Sequence, residues 1–221
     1  MKKNLFTLLM LVVLFTTNLS SQIQSNGTGG GDWNTIATWQ GGVIPGASDN
    51  VVILGTDTVT LAAAGSCANL TLNGGATLSL NAAALVIPGT SWNFDSTSTV
   101  IYNGPTTVQT AMAYGNLEYR TSSSGSVSTT SPANLTIYRN FQITNSTFRG
   151  ISALSGSVTH TVMGNVIVGP GTGARISAVN QSSATTSSCT WNIGGNFASN
   201  GRSFGKYRQI ACASVGLRGM S

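Results

Sequence analysis

The side chains able to do acid–base, metal or nucleophilic chemistry are few in this 221-residue sequence. There are five carboxylates (Asp32, Asp49, Asp57, Asp95 and Glu118), one histidine (His160) and three cysteines (Cys67, Cys189 and Cys212). Glycoside hydrolysis needs two carboxyl groups flanking one bond. Here the acids are spread singly along the chain, as are Arg120, Arg139, Arg149 and Arg175. His160, between Thr159 and Thr161, belongs to no Ser/His/Asp or Cys/His arrangement and is expected at a surface or strand edge. None of these groups is expected to be catalytic. Calcium is the one cofactor considered, because Asp32, Asp49 and Asp57 would supply carboxylate oxygens to such an ion. The competing reading makes each of them a turn-forming Asp. An odd cysteine count without a C-x-x-C pair supports neither structural zinc nor a disulfide framework. Cys67 is expected to be a small buried residue, and Cys189 and Cys212 to be capable of pairing in an oxidising compartment. Trp33 and Trp39 are candidate ligand-binding residues, since an indole face packs on a pyranose ring. The alternative is that they plug an open end of the fold.

Only 7% of the residues are charged, against about 25% in an ordinary soluble domain. Helical bundles and coiled coils present Lys and Glu on their exposed faces, so this composition excludes them. A hydrophobic content of 41% separates the chain from disordered sequences, which are poor in apolar residues. What remains is a β-rich protein with a surface of hydroxyls and amides. The formal charge of +5 sits at the ends, on Lys2 and Lys3 and on Arg202, Lys206, Arg208 and Arg218. From Gln22 to Gly201 four Arg stand against five acids, a net of −1. That field is too weak to gather phosphates, so no nucleic acid partner is expected.

The elements that must position these groups follow from the apolar rhythm. Residues 1–21 read as a signal peptide, with a Lys2-Lys3 start, an apolar run from Leu5 to Phe15 too short to span a bilayer, and a small polar end. After its removal no transmembrane segment is expected, and the location is secreted, extracellular or cell-surface. Residues 22–32, with Gly29-Gly30-Gly31, read as a flexible leader. From there alternating apolar pairs recur between turn residues: Val51/Ile53, Val59/Leu61, Leu70/Leu72, Leu78/Leu80, Leu85/Ile87, Trp92/Phe94 and Val100/Tyr102. Alternation over a few residues marks a strand with one buried face. Many such short strands mean an all-β sandwich, barrel or solenoid.

Hairpin signals are few, with Asn73-Gly74 and Asn103-Gly104 the best. The pattern therefore predicts a right-handed parallel β-helix or β-solenoid over 33–201, with an N-terminal cap at 33–48. An antiparallel β-sandwich is the alternative. Asn140, Asn165 and Asn196 each precede an apolar strand start and are expected to stack as a structural ladder. Residues 202–221 lose the rhythm and read as an atypical, disordered or truncated tail. Thr58-Val59-Thr60 and Thr159-His160-Thr161 set hydroxyls two residues apart, as on the water-ordering faces of ice-binding solenoids, but without a period.

A resemblance joins these residues. Trp39-Gln40-Gly41-Gly42-Val43-Ile44-Pro45-Gly46, followed by Asp49-Asn50-Val51-Val52-Ile53, Val59-Thr60-Leu61 and Asn69-Leu70-Thr71-Leu72, resembles the opening of large secreted surface repeat proteins of Bacteroidetes-type bacteria and their eight-glycine domain. The likeness spans about fifty residues, from Trp33 to Leu80. It implies a β-helix opening, an extracellular ligand-binding role and export by type IX secretion; it supplies no catalytic residues. No sorting domain is legible in the sequence. The expectation is a secreted, non-enzymatic adhesion-type solenoid contacting extracellular glycans or cell-surface ligands. The alternative is a fragment of a polysaccharide-degrading β-helix enzyme, a lyase or glycoside hydrolase.

Overall fold

A computed structural model describes residues 22–213 apart from 82–84, 87–91, 105–106, 111–112, 128–133, 152–154, 172, 180–185, 201 and 207–209. The expected signal segment and residues 214–221 lie outside the described residues, as does Ile87.

The chain winds as a parallel β-solenoid, each coil contributing short strands to successive faces. The opening coil is β1 (Gln22–Gln24) and β2 (Gly30–Asp32). The next three coils are β3 (Asn50–Ile53), β4 (Thr58–Leu61) and β5 (Gly65–Ser66); β6 (Asn69–Leu72), β7 (Thr77–Leu80) and β8 (Leu85–Val86); and β9 (Trp92–Phe94), β10 (Thr99–Tyr102) and β11 (Thr107–Val108). Three more follow: β12 (Ala113–Tyr114), β13 (Asn116–Tyr119) and β14 (Gly125–Val127); β15 (Thr136–Ile137), β16 (Phe141–Ile143) and β17 (Thr147–Ile151); and β18 (Ser155–Val162), β19 (Val166–Val168) and β20 (Arg175–Val179). The last coil is β21 (Thr186–Ile193) and β22 (Asn196–Ser199), followed by β23 (Arg202–Lys206) and β24 (Ile210–Ala213). One sheet runs unbroken through nine strands, β2-β4-β7-β10-β13-β16-β19-β22-β23. The other faces are shorter sheets, β1-β3-β6-β9, β12-β15-β18-β21-β24, β11-β14-β17-β20 and β5-β8.

Pairing is parallel from β1 to β22, which rules out the antiparallel sandwich. Asn73-Gly74 turns a corner inside a coil, between β6 and β7, and makes no hairpin. Register places like on like. Val59, Leu78, Val100, Leu117, Phe141, Val166 and Phe197 form one inward column, and Leu61, Leu80, Tyr102, Tyr119, Ile143 and Val168 another. The ladder continues past the strand ends. The N–H groups of Asn81, Asn103, Arg120, Thr144, Gly169 and Asn200 donate to the carbonyls of Leu61, Leu80, Tyr102, Tyr119, Ile143 and Val168, at 2.7–3.0 Å.

Two expectations about the ends are overturned. Residues 22–32 are no flexible leader: Gln22–Gln24 pairs with Asn50–Val52, and Gly30–Asp32 with Thr58–Thr60. The glycines that suggest freedom are conformational requirements. Gly30 has φ +83°, and a Cβ there would lie 2.2 Å from the Thr58 carbonyl oxygen. The tail does not lose its structure at 202 either. β23 pairs antiparallel with β22, and β24 antiparallel with β21, so the winding stops by reversing direction. The stacked coils therefore begin at Gln22 rather than Trp33, and paired strands continue past 201 in β23 and β24.

Aromatic residues pack the interior of the C-terminal half. Phe141 stacks on Trp191 with centroids 5.6 Å apart and planes at 15°, and Phe148 meets Phe141 edge-on at 5.0 Å. At the same level Gly164 packs so tightly on the preceding coil that a Cβ would stand 2.3 Å from the Arg139 carbonyl oxygen. Backbone cannot yield there without breaking the ladder. Gly164→Ala is expected to cost about 1–3 kcal/mol, read as a lowered midpoint in urea unfolding.

Candidate functional site

The N-terminal end shows how the chain spends its chemistry-bearing side chains. Between β2 and β3 two 3-10 turns, Ile36–Thr38 and Gln40–Gly42, fold a cap over the end of the column. Trp33 and Trp39 lie beneath it, 0% and 3% exposed, edge-on with centroids 5.0 Å apart. The Trp39 indole N–H donates to the Trp33 carbonyl at 2.7 Å. Their ring faces are covered, so they are not sugar platforms; they plug the apolar column, which would otherwise end in water.

Asp32, Asp49 and Asp57 do not converge on an ion either. Asp32 accepts from the Asn34 N–H at 2.9 Å and the Ala62 N–H at 3.3 Å. Asp49 accepts from the Gly46 N–H at 2.8 Å. Among the described residues no three His, Cys, Asp or Glu side chains gather as metal ligands. Each carboxylate instead accepts backbone N–H groups, in its own turn or from a neighbouring coil.

Asp57 is the most heavily used. One oxygen accepts from the Ser25 hydroxyl at 2.5 Å and the Gly27 N–H at 2.8 Å, and the other accepts from the Gly29 N–H at 2.8 Å. Ser25 in turn accepts from the Leu54 N–H at 2.9 Å. Asn26 completes the loop, accepting from the N–H groups of Thr28 and Gly30 and donating to the carbonyls of Gly30 and Ala37. Burial opposes ionisation of Asp57, but the bonds from Ser25, Gly29 and Gly27 outweigh it and hold its carboxyl below the usual 3.8.

His160 is not at a surface, contrary to the expectation. It is fully buried, with its ring 4.5 Å from that of Trp191. Its Nδ1 accepts the Leu135 N–H at 2.9 Å across neighbouring coils. A nitrogen that accepts carries no proton, so Nδ1 is unprotonated here. The imidazole therefore satisfies a backbone donor in a part of the wall where the strand ladder leaves it. Tyr102 and Tyr114 do the same at Gln109. The Tyr114 hydroxyl donates to the Gln109 carbonyl at 2.7 Å, and the Gln109 N–H donates to the Tyr102 oxygen at 3.2 Å. The Tyr114 proton being spent, Tyr102 donates to the Tyr114 oxygen, 3.0 Å away, which closes the ring of bonds. Burial pushes both phenols up.

With these groups turned inward, hydroxyls and amides form rows on the outside, beside exposed apolar side chains such as Ile36, Val43 and Met163. On the nine-stranded sheet Thr58, Thr77, Thr99 and Asn116 stand in register. Asn140, Asn165 and Asn196 continue the row: the N–H of Asn140 donates to the Asn116 amide oxygen at 3.4 Å, that of Asn165 to Asn140 at 3.0 Å, and that of Asn196 to Asn165 at 2.8 Å. Asn116 is the member that sequence reasoning missed; Tyr114-Gly115-Asn116-Leu117 carries the same Asn-before-apolar signal. A second amide pair, Asn50 and Asn69, sits on the neighbouring face.

A second outward array lies on β15, β18 and β21, exposed at Ser157 and Thr159 and half-buried elsewhere. Ser157, Thr159 and Thr161 stand opposite Ser188, Thr190 and Asn192, and Thr136 lies beside Thr161. Val158, His160 and Val162 alternate with them into the core. The Ser188 hydroxyl donates to the Ser157 hydroxyl at 2.7 Å, and the Thr159 N–H to the Asn134 amide oxygen at 2.8 Å. The result is a stiff face of hydrogen-bonding groups without net charge, with neighbouring strands about 4.8 Å apart and same-face residues about 6.6 Å apart along each strand.

No family model, curated protein or solved structure matches the chain.

Two substitutions test the inward groups. Asp57→Asn removes charge-assisted bonds and is expected to cost about 2 kcal/mol at neutral pH. Because the folded carboxyl is the more acidic, its stabilisation is full above the unfolded value near 3.8 and is lost as pH falls below it. Urea unfolding at pH 7 and pH 3 should therefore show a smaller acid loss in Asp57→Asn than in the wild type. His160→Phe keeps a ring against Trp191 but strands the Leu135 N–H, and is expected to lower stability by about 1–3 kcal/mol in the same assay.

Proposed function

We propose that this chain is an extracellular adhesion-type solenoid that contacts glycans through its uncharged outer faces. The observation that carries this reading is the array of Ser157, Thr159 and Thr161 beside Ser188, Thr190 and Asn192, held flat by eight registered residue pairs between β18 and β21. Sugar hydroxyls both donate and accept, and so do Ser, Thr and Asn side chains. A face of this kind makes many modest contacts where a pocket makes a few strong ones. Affinity then grows by multiplicity, when several copies or several repeats of a polymer engage together.

The proposed location follows from the Lys2-Lys3 start and the Leu5–Phe15 apolar run, which fit a secretory signal. The likeness to Bacteroidetes-type surface repeat proteins supports display at a cell surface and export by type IX secretion. The stacked architecture suits a stalk, because each coil pairs its strands with those of the adjacent coils and length can be added without redesign.

The test is a glycan array probed with the secreted chain, alongside a reducing-sugar release assay on the same polysaccharides. Binding should rise with glycan density, without sugar release. Replacing both Thr159 and Thr190 with Val removes two hydroxyls while keeping the β-branched shape, and should weaken binding about tenfold, the loss of roughly 1.4 kcal/mol. Sugar release that disappears in Asp49→Asn would overturn this reading in favour of an enzyme. Binding to no glycan, or binding indifferent to the double substitution, would overturn the assigned face.

A further inference from the structure

We propose that Cys189 and Cys212 form a disulfide that staples the reversed C-terminal strands onto the last coil. Sequence separates the two cysteines by 23 positions, but the fold makes them direct partners. β24 runs antiparallel to β21, and the register sets Cys189 opposite Cys212, between the pairs Ser188–Ala213 and Thr190–Ala211. Directly opposed antiparallel residues have Cα atoms about 4.5–5.5 Å apart, within the roughly 4.4–6.8 Å that a disulfide spans. The pairing is specific to this place. Elsewhere β18, β15 and β12 stack parallel with β21 in the same sheet, and Val158, not cysteine, stands at the register position next to Cys189.

The position has a mechanical consequence. β24 is the outermost strand of its sheet, paired there with β21, and β23 is likewise the outermost strand of the nine-stranded sheet. Such an edge is where a solenoid frays or recruits another chain. A bond from 189 to 212 closes a loop containing β22 and β23, so that both reversed strands are tied to the coil they cover.

Formation requires an oxidant of the disulfide class, such as oxidised glutathione or a thiol–disulfide oxidoreductase. One protein thiolate attacks the oxidant's S–S bond, giving a mixed disulfide and releasing one thiol. The second protein thiolate then attacks the mixed disulfide, forming the Cys189–Cys212 bond and releasing the second thiol. Two protein thiols are oxidised, one oxidant disulfide is reduced, and the two protons pass to the released thiolates. Cys67 takes no part. It is fully buried in the N-terminal half, and burial, with the charge of Asp49, pushes its thiol up to about 12. Cys189 is buried as well, so position decides: no strand pairing among the described residues sets a cysteine opposite Cys67, whereas Cys212 stands opposite Cys189.

The experiment uses the full-length chain equilibrated in a glutathione redox buffer, alkylated in denaturant and digested with trypsin without reduction. Cleavage after Arg175, Arg202, Arg208 and Arg218 places the two cysteines on separate peptides, 176–202 and 209–218. These are expected as one linked species that separates on reduction, with a single alkylated thiol, that of Cys67. Reduction should lower the melting temperature by roughly 5–10 °C. That shift should vanish in Cys212→Ser and persist in Cys67→Ser. Three alkylated thiols after equilibration, a link involving Cys67, or a reduction-sensitive melting temperature in Cys212→Ser would each overturn the assignment. Should Cys212→Ser not fold, the linked peptides of the wild-type chain decide alone.

Discussion

Every coil of this protein hands its unused amides to the coils above and below, and that exchange governs the rest. A strand of three or four residues is too short to stand by itself. It persists here because its N–H and C=O groups pair with strands one coil away, and because the inward residue it presents lands on the inward residue of its neighbour. Where strands stop, the pairing does not: Asn81, Asn103, Arg120, Thr144, Gly169 and Asn200 carry it around the corner. Where a strand-type partner is missing, a side chain supplies one, as His160 does for Leu135 and the Tyr102–Tyr114 pair for Gln109. In these places a buried polar side chain repairs the ladder.

The same stacking explains the near-absence of charge. In a parallel, in-register stack, residues at equivalent positions face one another about 4.8 Å apart, and like charges directly opposite destabilise the pair. A repeated Lys or Glu would repel itself at every coil. Thr, Ser and Asn can repeat without penalty, and Asn improves on neutrality because its amide oxygen accepts the next coil's N–H. Glu118 shows the exception. It stands between Ile101 and Gln142, not another acid, and pairs with Arg120, just past the end of its own strand.

Much of the fold was legible because stacking imposes a pattern on the chain. Val51/Ile53, Val59/Leu61, Leu70/Leu72 and Leu78/Leu80 announce inward columns, and Asn140, Asn165 and Asn196 announce a corner ladder. What misled was composition read without its partner. Gly29-Gly30-Gly31 looks like slack, yet Gly30 is there because the Thr58 carbonyl leaves no room for a Cβ. The basic tail from 202 has no apolar rhythm, yet β23 and β24 find edges waiting for them. Trp33 and Trp39 have the residue type of a sugar platform, and His160 lacks any motif; only position made the first two a plug and the third a core acceptor.

The sequence by itself determined the strand lengths, the alternation and the uncharged surface, because these are local consequences of residue type and spacing of two. It also determined that the coils must stack, since pairs this short bury too little alone. Only the tertiary structure decided which residues meet. Asp57 reaches back across thirty positions to Ser25, Gly27 and Gly29, His160 reaches Leu135, and the reversal at the C-terminal end sets Cys189 opposite Cys212. Coil length varies from one winding to the next, so no fixed period in the chain encodes those contacts; the hydrogen-bond register between coils does.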